Sequence, residues 1–132
     1  MNNKWKRGFE VAKNASLHSN GPSKGRRMGT ALYSGNKLVS IGFNQYYKTH
    51  PKYRISIKNV EITKNIHAEM SALIKRQYYT NKNLIMYIYR EKDNGELGCS
   101  RPCELCYEML RLAEVKRVCF INENGVFVEE KL

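Results

Sequence analysis

Four residues in two short stretches constrain this chain most. They are His67 and Glu69 in His67-Ala68-Glu69, and Cys103 and Cys106 in Pro102-Cys103-Glu104-Leu105-Cys106. Each stretch opens a segment with helical spacing. Met70, Leu73 and Ile74 share one side of His67–Tyr78, and Met109, Leu110 and Leu112 supply the apolar contacts of Cys103–Ala113. Pro102 stands just before the second helix, at a start position that proline favours. Cys103 and Cys106 are three apart, so on a helix they point the same way. They lie in its first turn, where unpaired N–H groups and the helix dipole favour thiolate over thiol. His67 offers one imidazole nitrogen from the start of the other helix. One His and two Cys fit a single zinc ion and leave its fourth tetrahedral position to water, the mark of a catalytic site. A fold that satisfies these residues must bring two helix starts to one point.

Glu69 lies two residues past His67 and is not needed as a ligand. A separate carboxylate is what such a site requires to move protons. Zinc lowers the pKa of a bound water from ~15.7 to about 7 and so makes hydroxide available at neutral pH. The chemistry that follows is hydroxide attack on an electron-poor ring carbon, with Glu69 carrying the proton onward to a leaving amine. The competing reading is a closed structural site of three Cys and one His, completed by Cys99. Such a site has no use for Glu69 or Pro102. Cys119, inside an apolar strand, reads as a core thiol.

The remaining pattern supplies a scaffold. Asn3–Ser19 reads as a helix with Trp5, Phe9, Ala12 and Ser16 on one face, Trp5 as a packing anchor and His18 as a surface residue. Asn20–Gly25 is a loop by composition. Met28–Tyr33 and Leu38–Phe43 read as strands joined by Ser34-Gly35-Asn36-Lys37. Asn83–Arg90 is a central strand, nearly all apolar and β-favouring. Arg117–Ile121 and Val126–Glu130 are two short strands around Asn122-Glu123-Asn124-Gly125, whose Asn-Gly pair favours a tight hairpin. The order is α-β-β-α-β-α-β-β: an α/β chain with helices on a mixed sheet of about five strands. No linker or repeat interrupts it, so residues 1–132 are expected to form one domain.

Composition closes other routes. The longest apolar run, Leu84–Tyr89, is far short of the ~18–20 residues of a membrane helix. Met1–Gly8 is basic, but no apolar segment of a secretory signal follows it. Four cysteines, two of them as Cys-x-x-Cys, suggest metal or redox chemistry in a cytoplasmic protein before a disulfide scaffold. The net charge is +11, and residues 1–66 carry all of it, with 13 Lys/Arg against 2 Asp/Glu. A basic region of that kind suits a phosphate-bearing or polyanionic partner, and equally a solvated, Lys-rich surface. Within 44–64, Tyr46, Tyr47 and Tyr53 are interleaved with Lys48, His50, Lys52, Arg54, Lys58 and Lys64, a mixture that can hold single strands or one phosphate.

The His-x-Glu and Pro-Cys-x-x-Cys pair resembles the signature of the zinc-dependent nucleobase deaminases. The element order agrees with the cytidine-deaminase-like fold over nearly the whole chain. The resemblance implies a three-layer α-β-α sandwich, with His67, Cys103 and Cys106 as zinc ligands and Glu69 as proton shuttle. It places Ala68 where the family uses a backbone N–H to hold the pyrimidine carbonyl. It places Arg101 where the residue before Pro-Cys lends its carbonyl to the exocyclic amine. Gly42-Phe43-Asn44 is similar to the family's substrate-binding strand end, which makes Asn44 a candidate contact to sugar or base. Relatives of this kind are often dimers or tetramers.

The resemblance leaves the substrate open. The C-terminal hairpin is similar to that of free cytidine deaminases and small deaminase toxins. His67 as first ligand looks instead like deoxycytidylate deaminases and nucleic-acid editors. Arg101, where purine-directed members often carry Glu, points to cytosine. The favoured reading is hydrolysis of cytosine to uracil in a free nucleoside or nucleotide: cytidine, deoxycytidine or dCMP. The alternatives are a deaminase of single-stranded DNA or RNA, and a non-catalytic zinc-stabilised binding module. No membrane partner is expected.

Overall fold

The computed structural model describes residues 2–46, 67–76 and 83–132. Along them run α1 (Asn3–Ser16), β1 (Met28–Ser34), β2 (Lys37–Phe43), α2 (Ala68–Lys75), β3 (Leu84–Arg90), α3 (Glu104–Leu112), β4 (Val115–Ile121) and β5 (Phe127–Lys131), with one 3-10 turn at Lys24–Arg26. The expected order of elements is the observed one. The expected end of the second helix, at Tyr78, and the tyrosine- and lysine-bearing stretch beyond Tyr46 lie outside the described residues.

The five strands form one sheet in the order β2-β1-β3-β4-β5. β3 pairs antiparallel with β1 and parallel with β4. β4 and β5 are antiparallel, as the Asn-Gly turn requires. In that turn Asn122 Oδ1 accepts from the N–H groups of Asn124 and Val126, and Gly125 takes a positive φ of 75°.

Why β3 is apolar from Leu84 to Tyr89 follows from its place in the sheet. Successive side chains point to opposite faces, and both faces are covered. Leu84, Met86 and Ile88 enter one core with Leu32, Val118 and Phe120, under Met70 and Leu73 of α2 and Met109 and Leu110 of α3. Ile85, Tyr87 and Tyr89 enter the other with Cys119 and Ile121, under Phe9 and Ala12 of α1. The result is a three-layer α-β-α sandwich. Cys119 is fully buried, as expected of a core thiol. Trp5 meets the Phe9 ring edge-on and closes one end of the α1 face.

α2 is seated on the sheet by polar contacts. The Thr30 hydroxyl, fully buried, donates to the Ala68 carbonyl at 2.8 Å. Ser40 Oγ donates to the Ala72 carbonyl at 2.7 Å, and Ser71 Oγ accepts from the Phe43 N–H at 3.3 Å. The approach is so close that a Cβ on Gly42 would stand 2.4 Å from both the Ala68 carbonyl and the Ala72 nitrogen. These obstacles are backbone atoms and cannot rotate aside.

Local boundaries differ from expectation where polar side chains intervene. α1 ends at Ser16 rather than Ser19, because Leu17, His18 and Ser19 donate to carbonyls three residues back and tighten the chain out of the helix. His18 therefore lies beyond the helix, exposed, with its ring 5.6 Å from that of Phe43. The second ligand helix begins at Glu104 rather than Cys103, which becomes its cap, so Pro102 stands directly before the cap.

The 3-10 turn is tied to the segment after β3. Glu91 takes Lys24 at 2.9 Å, Lys13 at 3.6 Å and the Tyr89 hydroxyl at 2.5 Å. Asp93 Oδ1 accepts from the Gly25 N–H, and Arg90 Nε donates to the Gly25 carbonyl, both at 2.7 Å. The hydrogen bond from Lys24, and then that from Tyr89, holds the Glu91 carboxyl below the usual carboxylate range.

Two predictions follow from this anatomy. Gly42→Ala should destabilise the fold by about 2–3 kcal/mol or more in urea unfolding, since the neighbouring backbone has nowhere to go. The Glu91 carboxyl is lowered on folding, so its contribution is present above its unfolded pKa and lost as pH falls through the folded one. Glu91→Gln should thus cost on the order of 1 kcal/mol at pH 7. The gap from wild type should narrow in the same urea titration as pH is lowered past the ordinary carboxylate range and through the depressed Glu91 pKa.

Candidate active site

The two stretches meet. His67 is the N-cap of α2, extended at φ −75°, ψ 154°, and its side chain makes no capping bond. Cys103 is the N-cap of α3, and its thiol sulfur accepts from the Cys106 N–H at 3.5 Å. His67 Nδ1 lies 3.3 Å from Cys106 Sγ and 3.7 Å from Cys103 Sγ, with all three ligand atoms within 4.8 Å of one another. Zinc bonds of ~2.0–2.1 Å to nitrogen and ~2.3 Å to sulfur, at tetrahedral angles, put a nitrogen and a sulfur about 3.5 Å apart. The donor set and its spacing therefore fit one zinc ion. Cys99 is half-buried and is not part of the group.

The electrostatics suit a metal site. A hydrogen bond from Cys106 is the largest influence holding the Cys103 thiol down to about 4, with His67 and the first-turn N–H adding to it against the cost of burial. The same bond raises Cys106, and burial raises it further. The hydrogen bond with Cys103 raises His67. Glu69 is 3% exposed, and burial raises its carboxyl.

A pocket of about 240 Å³ opens over these groups. Its floor is His67, Ala68, Glu69 and Cys103, and its walls are Met28, Asn44, Gln45, Tyr46 and Arg101. That is below the ~300–1,000 Å³ of clefts for drug-sized ligands, so it suits a small molecule or one extruded base. Of the expected metal, catalytic and substrate residues, His67, Cys103, Glu69, Asn44, Ala68 and Arg101 line it, and Cys106 is fully buried.

Two of the expected substrate residues are engaged in ways that sequence did not show. Asn44 Oδ1 accepts from Ser19 Oγ at 2.6 Å and from the Met28 N–H at 2.9 Å, and its Nδ2 donates to the Arg26 carbonyl at 2.7 Å. Both lone pairs of that oxygen are in use, so Asn44 meets a ligand only as a donor. The Arg101 guanidinium lies 3.8 Å from Glu130 and over the rings of Tyr107 and Phe120. Its main chain is what remains for a substrate. Thr30, Ser19 and Asn20 also shape the site, and sequence reasoning passed over them. The one available signal was the Ser-Asn-Gly composition of 19–21, which marks a turn and names no partner.

A sequence profile described as the cytidine and deoxycytidylate deaminase zinc-binding region matches residues 2–122. The chain belongs to that family. With a His/Cys/Cys group spaced to hold zinc, it is a zinc-dependent hydrolytic deaminase. No curated protein matches its sequence. Solved structures share the fold. The cytidine deaminase of Burkholderia pseudomallei superposes with a TM-score of 0.66 at 18% identity, covering 99% of this chain and 93% of that one. The dCMP deaminase of cyanophage S-TIM5, in apo form, gives 0.61 at 21% identity, covering 96% and 90%. The same phage enzyme in complex with dCMP and dUMP gives 0.59 at 20% identity, covering 89% and 81%. Among the described residues, no helix is long and apolar enough to cross a membrane.

The ligand assignment predicts the outcome of metal analysis. Wild type should bind one zinc per chain. Cys103→Ser and Cys106→Ser should each weaken binding by at least tenfold in a chelator competition, and Cys99→Ser should bind as wild type does.

Proposed function

We propose that this chain hydrolyses the 4-amino group of cytosine in a free nucleoside or nucleotide, giving uracil and ammonia. The observation that carries the reading is the buried Glu69 carboxyl group lining a small pocket, two residues past His67 and beside both cysteines. A closed structural site has no need of a buried acid facing a cavity.

In this reading His67, Cys103 and Cys106 hold zinc, which when bound supplies hydroxide at neutral pH. Glu69 takes one proton from water and passes it to the ring nitrogen, then takes the second from the hydroxyl left on the ring carbon and passes it to the departing amine. Its burial keeps bulk water from competing for that proton. Ala68, the first residue of α2, has an N–H that no residue within the helix can accept, and this donor faces the pyrimidine carbonyl. The Arg101 carbonyl accepts from the exocyclic amine and so favours an amino-bearing ring. Asn44, restricted to donation, contacts an oxygen of the sugar. All of the chain's net charge lies in residues 1–66, which suits a substrate that bears phosphate.

The test is ammonia release by the zinc-loaded protein on cytidine, deoxycytidine, dCMP and a mixed-sequence single-stranded oligonucleotide. Turnover of a free nucleoside or nucleotide is expected. Turnover of the oligonucleotide alone would overturn the reading in favour of a polynucleotide deaminase. Glu69→Gln should lose roughly 10²–10⁴-fold in kcat while metal analysis still finds zinc. A variant that keeps its rate would remove Glu69 from the chemistry.

A further inference from the structure

We propose that Tyr46 is the wall against which the substrate's base stacks, and that Asn20 is the positioning residue that sets it. The proposal rests on the deaminase reading of the same pocket. Among the described residues lining the pocket, Tyr46 is the only aromatic apart from the ligand His67. A planar base held for attack on one ring carbon needs a surface for its face, and an aromatic ring provides one without regard to the base's edge.

The main chain of Tyr46 is held by a single side chain. The Asn20 carboxamide pairs with both main-chain groups of Tyr46: its Oδ1 accepts from the Tyr46 N–H at 2.7 Å, and its Nδ2 donates to the Tyr46 carbonyl at 3.3 Å. A side chain thus does for one residue what a neighbouring strand would do, and it does so next to the pocket. Asn20 is held in turn. Ser19 Oγ donates to Asn44 and accepts from the Gly21 N–H at 3.1 Å, and Arg27 Nε donates to the Gly21 carbonyl at 3.0 Å. Residues 19–21 therefore clasp residues 44–46, joining Asn44 and Tyr46 in one wall. Asn20 is exposed, and both of its bonds to Tyr46 lie at the surface, where they add little to stability.

The experiment measures kcat and KM on dCMP and cytidine for the zinc-loaded full chain as wild type, Y46F, Y46A, N20A and N20A/Y46A, with melting temperature and zinc content alongside. Tyr46→Ala should raise KM roughly 5- to 150-fold, the worth of one base on an aromatic ring, with kcat little changed. Tyr46→Phe should stay close to wild type. Asn20→Ala should raise KM part of the way and add nothing in the Tyr46→Ala background, because it acts through that ring. Wild-type KM in Tyr46→Ala, equal losses in Tyr46→Phe and Tyr46→Ala, or an additive Asn20→Ala effect would each overturn the proposal while leaving the deaminase reading intact. Absence of both turnover and calorimetric dCMP binding in wild type would instead bring down the deaminase reading, and this proposal with it.

Discussion

Two helix N-termini are brought face to face, and the residues that cap them are also the residues that can hold the metal. An N-cap must turn the chain from extended backbone into helix and leaves several N–H groups without partners. His67 and Cys103 both stand at that position. Cys103 uses its sulfur to accept from the first turn, so the helix itself favours the thiolate that zinc needs. The rest of the fold serves this meeting. α2 and α3 lie on one face of the sheet and are joined at their far ends, where Arg76 Nη1 donates to the Ala113 carbonyl at 2.9 Å. Thr30 and Gly42 then set the height of α2 above the strands.

The segment before Cys103 is fixed as firmly. The Ser100 hydroxyl, 1% exposed, donates to the Ile88 carbonyl and accepts from the Ile121 N–H, both at 2.8 Å. It stitches the ends of two parallel strands at the crevice where open α/β sheets bind their ligands. Arg90 Nη1 donates to the Cys99 carbonyl at 3.0 Å and Arg90 Nε to Gly25. One guanidinium thus links this segment to the turn whose far side Asn44 grips. The described walls of the pocket are cross-braced by side chain to main chain bonds, which are local and directional.

Much of this was legible in the sequence, and the division is physical. Strand β3 announced itself because burial on both faces leaves no polar position in Leu84–Tyr89. The metal group was legible because ligand chemistry admits few residue types at few spacings. The C-terminal hairpin followed from Asn124-Gly125. What could not be read was the use of polar side chains across the chain. Asn44 was identified as a pocket residue, yet its carboxamide is committed to Ser19, Arg26 and Met28. Asn20 looked like loop composition and proved to be a partner of Tyr46. Such bonds depend on which loops meet, and neither periodicity nor spacing encodes that. The charge excess was likewise visible as a total but not as a use: Lys13 and Lys24 are both turned to Glu91.

X-ray absorption at the zinc edge of the loaded protein decides whether one His and two Cys, gathered at two helix starts, form an open metal site. The expected shell has one imidazole nitrogen, two sulfurs at ~2.3 Å and one further light atom, which leaves a position for water. A third sulfur in the shell would mean that Cys99 closes the site and would contradict it.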